Sequence, residues 1–87
     1  MHIKVYRLHD LSTGHVCAYG EQAIQLLVQH QLPYDDHRMS EHDDAEYKRK
    51  HEVTTTPQIW VNGNRIGGYQ ALCDWIESRD NLEKIAD

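Results

Sequence analysis

The sequence has few cysteines, an excess of acidic over basic residues, and no long apolar run. Only Cys17 and Cys73 occur in 87 residues, which excludes a disulfide framework and favours reduced thiols in a reducing cytoplasm. The formal net charge of −5 argues against non-specific binding to nucleic acid or to an anionic membrane. No apolar run approaches the length of a membrane span, and no signal-peptide segment precedes the first strand. We therefore expect a cytoplasmic protein.

The seven histidines do not form a metal-binding motif. His37, His42 and His51 are spread over separate segments, and the sequence contains neither a His-x-x-x-His nor a Cys-x-x-Cys pair. Tetrahedral zinc sites are usually built from such closely spaced pairs. We therefore expect no zinc site.

The apolar periodicity predicts a single α/β domain over residues 1–87, with the element order β-α-β-α-β-β-α and a four-stranded mixed sheet flanked by helices. Ile3–Leu8 alternates as a strand does, and His9–His15 is rich in turn residues. A helix should begin at Cys17 or Ala18 and end near Gln31, because Pro33 disfavours the α region at the residue before it.

A second helix should begin after Ser40, which is placed to accept a hydrogen bond from the first turn. Acidic residues fill its first turns and basic residues its last, so the pairs Asp44–Lys48 and Glu46–Lys50 are expected on what we interpret as a solvated face. The segment Pro33–Met39 has the length and position of a second strand, but its composition is not typical of one.

The C-terminal half predicts a hairpin and a helix. Pro57–Val61 is a strand, Asn62-Gly63 is a hairpin turn and Asn64–Ile66 is the returning strand. The last helix is expected from Tyr69 to about Arg79, followed by an interruption at Asp80-Asn81 and a final turn or short helix over Leu82–Ile85.

Three motifs in this order resemble the glutaredoxin family of the thioredoxin superfamily. They are Cys17-Ala18-Tyr19-Gly20, Thr55-Thr56-Pro57-Gln58-Ile59-Trp60-Val61-Asn62-Gly63 and Ile66-Gly67-Gly68-Tyr69. The resemblance covers essentially the whole chain. The loop before Cys17 is similar to that of the small glutaredoxins of tailed bacteriophages, which would place the protein in a host cytoplasm. The resemblance implies a thioredoxin-like fold and a glutathione-dependent thiol–disulfide oxidoreductase.

Cys17 is the expected catalytic nucleophile. A thiolate is the attacking species in thiol–disulfide exchange, and the unpaired N–H groups at a helix N-terminus stabilise it. A core cysteine without reactivity is the alternative, but a polar loop precedes Cys17 and the apolar helix face follows it. A position at the rim of the core is therefore expected.

The resemblance implies that glutathione binds in a groove beside Cys17. It implies a cis Thr56–Pro57 peptide whose threonine backbone pairs with the ligand, and an anion site at the N–H groups after Gly67-Gly68. The family's acidic residue after this motif is replaced by Gln70. The family's basic residues have as candidate counterparts Arg7 and His15, together with Lys48, Arg49 and Lys50. The expected glutathione-binding residues are Tyr19, Thr55, Thr56, Pro57, Gly68, Tyr69 and Gln70.

Gly20 stands where a dithiol glutaredoxin has its second, resolving cysteine. Glutaredoxins without that cysteine use a monothiol route, in which Cys17 would take glutathione from a substrate and free glutathione would regenerate the thiol. Cys73 is either a resolving partner or a bystander. Ala18 also fits glutaredoxins that hold a [2Fe–2S] cluster between two monomers, with two such cysteines and two glutathiones as ligands.

The alternatives to a monothiol enzyme are therefore a cluster-binding dimer and a redox-impaired variant of a dithiol glutaredoxin. The expected partners are glutathione and glutathionylated or disulfide-containing proteins. Ribonucleotide reductase is a client of related small glutaredoxins, although its reduction generally uses two thiols. Without a cluster, the expected state is a monomer.

Overall fold

A computed structural model describes the backbone of residues 1–86 and the side chains of residues 1–82, with five strands and three helices. The strands are β1 (Ile3–Asp10), β2 (His15–Val16), β3 (Asp35–Met39), β4 (Gln58–Val61) and β5 (Asn64–Gly67). The helices are α1 (Ala18–Gln29), α2 (Glu41–His51) and α3 (Tyr69–Ala86). Within the described residues, no helix is both long and apolar enough to cross a membrane.

Strand β1 lies at the centre of the sheet. It pairs in parallel with β3 and antiparallel with β4, and β5 extends the sheet antiparallel to β4. The predicted mixed α/β architecture is thus confirmed. The crossover from β1 to the parallel strand β3 runs through α1, as a parallel connection requires.

The sheet has five strands and not the predicted four. Strand β1 continues to Asp10, and the chain turns back to pair β2 antiparallel, with His9 opposite Val16. Gly14 supplies a positive φ of 78° in this turn. The Asp10 carboxylate accepts hydrogen bonds from the Ser12 backbone and hydroxyl. These local polar contacts stabilise a strand pair that is too short to produce a period-2 pattern.

Strand β3 forms although its composition is polar. Its side chains find partners on β1: Asp36 binds Arg7, and His37 stacks on Tyr6 with ring centroids 4.4 Å apart. The strand is therefore stabilised by its neighbour and not by intrinsic propensity.

The core lies between one face of the sheet and the two helices α1 and α3. Nine buried apolar residues form it: Ile3, Val5, Ala23, Leu27, Leu32, Ile59, Val61, Leu72 and Ile76. Helix α2 packs on the opposite face and buries Asp44 and Tyr47. Its predicted cap is confirmed, because the Ser40 hydroxyl accepts from the Asp43 N–H at 3.1 Å.

Helix α3 continues through the predicted interruption at Asp80-Asn81 and includes the backbone of Leu82–Ile85. The prediction of a break was wrong because Asp and Asn each cost a helix only about 0.7 kcal/mol or less relative to alanine. Asp80 also faces α1, where its carboxylate lies 3.8 Å from His30 Nδ1. A propensity this weak is overridden when the preceding turn packs on the core, as it does at Ile76.

Candidate active site

Cys17 is the N-cap residue of α1, with extended backbone angles of φ −72° and ψ 122°. Its N–H donates to the Leu8 carbonyl at 3.1 Å, and its own carbonyl accepts from the Glu21 N–H at 3.1 Å. The side chain makes no capping hydrogen bond. Instead, the half-buried Sγ lies 3.5 Å from the Thr56 carbonyl oxygen, to which the thiol can donate. The sulfur therefore lies between the helix N-terminus and the Thr56–Pro57 segment.

The Thr56–Pro57 peptide bond is cis, as predicted. The Thr56 hydroxyl donates to Asp44 Oδ1 on α2 at 2.6 Å, and Lys48 Nζ lies 2.9 Å from the other oxygen of that carboxylate. Asp44 is only 5% exposed. The sequence predicted the Asp44–Lys48 pair but placed it on a solvated face, so this support for Thr56 was missed.

The third motif forms the wall opposite Cys17 and Tyr19. Gly67 has a φ of 127°, and a Cβ there would lie 3.0 Å from the Ala71 Cβ, so both its conformation and its surroundings require glycine. A Cβ on Gly68 would lie 3.4 Å from the Pro57 carbonyl oxygen, which shows how closely α3 approaches the cis peptide. Tyr19 and Tyr69 face each other with ring centroids 5.9 Å apart.

These elements enclose a surface cavity of about 390 Å³ next to Cys17. It is lined by Tyr19, Thr55, Thr56, Pro57, Gly68, Tyr69 and Gln70. The structure thus brings together all seven residues for which the sequence predicted a common ligand. Their role in binding glutathione stays a prediction.

None of the expected cations lines this cavity. Arg7 is only 2% exposed and His15 is paired with Glu41. Lys48 is bound to Asp44 and Arg49 to Glu46. Lys48 is connected to the cavity only indirectly, because the Asp44 carboxylate that it binds is also the acceptor for Thr56.

Gly20 is buried, and its surroundings leave little room for a side chain. A Cβ on residue 20 would lie 3.0 Å from Arg7 Cβ and 3.2 Å from Arg7 Cδ. The Arg7 guanidinium forms a bidentate ion pair with the Asp36 carboxylate, in which both hydrogen bonds measure 2.8 Å. It also donates a hydrogen bond to the Glu21 carboxylate at 3.0 Å. The arginine is therefore fixed below the position where a resolving cysteine would stand.

The charges in this buried pair are mutually stabilised. The hydrogen bond to Asp36 raises the pKa of Arg7, with a further contribution from Glu21. The hydrogen bond from Arg7 lowers the pKa of Asp36, and Arg38 adds to the effect. Both residues are thus held in their charged forms. The sequence offered Arg7 only as a candidate glutathione cation, because a polar residue in the core register of a strand gives no signal of a partner distant in the chain.

Cys73 and Gln70 lie on the first turns of α3. A hydrogen bond to Cys73, followed by burial, raises the pKa of Tyr69. Cys73 also lines a separate groove of about 350 Å³ between α1 and α3. The Gln70 amide donates to the Asp74 carboxylate at 3.1 Å, so an acidic group does lie one helical turn beyond the cavity.

Within the part of the chain that the structure describes, no three His, Cys, Asp or Glu side chains come together as metal ligands. A [2Fe–2S] cluster needs four ligands, and the described part of the chain offers only two thiols, those of Cys17 and Cys73. A cluster would therefore require a second chain and added thiols, so the cluster-binding alternative stays a prediction.

Comparison with known proteins agrees with this geometry. A family model described as Glutaredoxin matches residues 3–66, well over half of the chain. No curated protein matches. Among solved structures, glutaredoxin 1 from Francisella tularensis in complex with cacodylate is 19% identical, with a TM-score of 0.75 over 92% of this chain and 96% of that one. That likeness concerns the fold, while the family match concerns the sequence. The chain belongs to the glutaredoxin family.

Proposed function

We propose that this glutaredoxin is a glutathione-dependent oxidoreductase that removes glutathione from protein thiols through Cys17 alone. Family membership supports thiol–disulfide oxidoreductase activity in general. The finer proposal depends on one observation: the Cys17 sulfur contacts Thr56, which lines a cavity together with six other residues, while position 20 has no thiol.

The cavity suits a small extended peptide. Glutathione can align along the backbone at Thr56 by strand-like pairing. The backbone N–H groups at the N-terminus of α3 can donate hydrogen bonds to one of its carboxylates. Tyr19 is 61% exposed, and together with Tyr69 it offers aromatic walls for the ligand's aliphatic parts. Binding at these walls would place the ligand sulfur beside Cys17.

The reaction consists of two exchanges at sulfur. In the first, the Cys17 thiolate attacks the glutathione sulfur of a mixed disulfide, and the substrate sulfur leaves and takes up a proton. In the second, the thiolate of another glutathione attacks the glutathione sulfur now bound to Cys17. The products are glutathione disulfide and the regenerated Cys17 thiolate, so each turnover consumes one reduced glutathione and exchanges the mixed disulfide for glutathione disulfide.

The buried Arg7 supports a monothiol route over the dithiol alternative. A resolving cysteine must reach the first sulfur from the next helical turn, and at position 20 it would press on Arg7. Glutathionylated proteins are therefore the proposed substrates. Clients that need two thiols, such as ribonucleotide reductase, are less suited to this site.

The test is an assay of a glutathionylated peptide with excess reduced glutathione, in which formation of glutathione disulfide is followed. We expect Cys17→Ser to abolish turnover and Cys73→Ser to leave it nearly unchanged. Mass spectrometry of protein quenched by acid should find glutathione on Cys17. Loss of turnover in Cys73→Ser would contradict the monothiol route, and turnover that survives Cys17→Ser would contradict the site.

A further inference from the structure

A second large cavity lies on the face of the sheet that carries α2, and Cys17 does not line it. Its volume is about 720 Å³, within the range of about 300–1,000 Å³ that is typical of small-molecule sites. Helix α2 covers only part of this face, and the cavity fills the part beside it. We call it the α2 cavity. It is lined by His2, Lys4, Tyr6, Tyr47, Lys50, His51, Trp60, Asn62 and Gly63. None of these residues lines the cavity of about 390 Å³ beside Cys17, which we call the active-site cavity.

Aromatic rings form the floor of the α2 cavity. Tyr6 and Tyr47 stack with centroids 5.0 Å apart, and His51 continues the row at 4.2 Å from Tyr47 and 5.7 Å from Trp60. The indole N–H of Trp60 donates to the Tyr47 hydroxyl at 2.9 Å. The rings are therefore fixed in orientation before any ligand arrives.

The Tyr47 phenol remains neutral in this setting. Burial is the largest cause that raises its pKa, against an opposing hydrogen bond from Trp60. A neutral phenol keeps its proton and can donate a hydrogen bond to an acceptor in the cavity. The fixed aromatic rings and the Tyr47 hydroxyl together suit a planar ligand ring that carries hydrogen-bond acceptors.

Two lysines give the α2 cavity a positive rim. Among the described residues, neither Lys4 nor Lys50 has a carboxylate within ion-pair distance. The sequence predicted that Glu46 would pair with Lys50, but Glu46 pairs with Arg49 at 2.6 Å, and Lys50 faces the cavity. His2 at the same rim has the Asp35 carboxylate 3.7 Å from its Nδ1.

We propose that the α2 cavity binds a planar aromatic ring that carries a phosphate, which is the chemistry of a nucleotide. The ring would stack on Trp60, whose ring contact among the described residues is the edge-on one with His51, since base–aromatic stacking is favourable for any base. The phosphate would lie between Lys4 and Lys50, and ammonium groups are effective phosphate ligands. In a chain with a net charge of −5, a phosphate is favoured here because neither lysine has a carboxylate within ion-pair distance among the residues whose side chains are described. The site does not depend on the reaction at Cys17.

Fluorescence of Trp60 can test this proposal in a Trp75→Phe variant, because these are the two tryptophans of the chain. The protein is titrated with adenosine monophosphate, adenosine and inorganic phosphate in separate experiments. We expect saturable quenching by the monophosphate, with affinity about tenfold or more above that for either part alone, since ring and phosphate each add contacts. Amide chemical shifts of the unsubstituted protein provide a second measurement, which does not require the variant to fold.

The variant Lys4→Gln/Lys50→Gln should lose about tenfold or more in affinity for adenosine monophosphate, because each lost charge-assisted hydrogen bond is significant. It should bind adenosine as before. Glu46→Gln/Arg49→Gln is the matched control, since it removes an ion pair of the same helix that lies outside the α2 cavity and leaves no charge on Glu46 that could pair with Lys50.

Three results would overturn the proposal. The first is no saturable change with millimolar nucleotide, and the second is equal affinity for inorganic phosphate, which would indicate an ion site only. The third is a shift pattern centred on Tyr19, Thr56 and Gly68, which would place the nucleotide in the active-site cavity. Self-association that protects the amides of Lys4 and Trp60 would assign the surface to a second copy of the chain and would likewise contradict a nucleotide site.

Discussion

The Cβ of Arg7 lies directly below Gly20, only 3.0 Å from where a Cβ on that glycine would stand. The helix that begins at Cys17 therefore rests on a buried arginine of the central strand. Gly20 is within α1 and is not at a turn, so its role is to permit this close approach. A single pair of residues thus links the absence of a resolving thiol to the packing of β1, α1 and β3.

Replacement of Gly20 by cysteine should destabilise the protein and not simply restore a dithiol site. Overpacking of this kind costs about 1–3 kcal/mol, because Arg7 Cβ belongs to a central strand and cannot move aside. The free energy of unfolding in urea is the measurement. Gln22→Cys is the matched control, since it adds a thiol at an exposed position of the same helix. Equal stabilities of the two variants would contradict the steric account.

Removal of the Arg7 guanidinium should be far more costly than removal of an exposed one. In Arg7→Met, the Asp36 carboxylate, which is 19% exposed, keeps only Arg38 as a partner, so the loss should lie toward the lower end of the about 3–5 kcal/mol that breaking a buried ion pair costs. Arg49→Met breaks the exposed pair with Glu46 and should change the free energy of unfolding far less, because solvent screens an exposed pair. Both losses can be measured by chemical denaturation. If Arg7→Met lost no more free energy of unfolding than Arg49→Met, the prediction would be contradicted, because water would then have to reach the Arg7–Asp36 ion pair.

The same pair predicts an acid-dependent part of the stability. The folded-state pKa of Asp36 is lowered, chiefly by Arg7, so its contribution is complete above the ordinary aspartate pKa of about 3.9 and is lost as the pH falls through the folded-state value. The difference in unfolding free energy between the wild type and Asp36→Asn should therefore shrink as the pH falls from neutral to about 2. In an Arg7→Met background, the pH dependence of that difference should largely disappear. Its persistence there would assign the acid effect to another carboxylate.

The general architecture could be predicted from this sequence because strong local signals coincide in it. The alternation in β1, the cap at Ser40 and the Asn62-Gly63 turn each have local causes, and the structure contains each of them. The residues around the active-site cavity could be predicted as well, but from family motifs and not from periodicity.

Pairing between distant segments could not be predicted. Arg7 and Asp36 are 29 residues apart, and nothing in either neighbourhood indicates that the two are buried together. Strand β2 has two residues, too few for any periodic pattern. The α2 cavity depends on which faces α2 leaves uncovered, which is a property of packing alone.

Asp44 should act as a positioning residue for the active site, because it accepts the Thr56 hydroxyl hydrogen bond from within the α2 layer. In Asp44→Ala, Thr56 loses this anchor. A hydrogen bond to a charged group contributes about 1.5–3 kcal/mol, and we expect much of that loss to appear as an increase of about tenfold in the KM for glutathione. The kcat at saturating glutathione should change less, since the Cys17 sulfur is still at the helix N-terminus.

The comparison variants separate this role from a general loss of stability. Asp44→Asn keeps an acceptor oxygen for Thr56 but loses the ion pair with Lys48, so its KM should stay near the wild-type value. Thr56→Val removes the same hydrogen bond from the other side and should raise the KM as Asp44→Ala does. Asp43→Ala changes an exposed carboxylate on the same helix turn and should have little effect. If kcat fell and the KM stayed constant in Asp44→Ala, the carboxylate would act on the chemistry at sulfur and not on the shape of the binding groove.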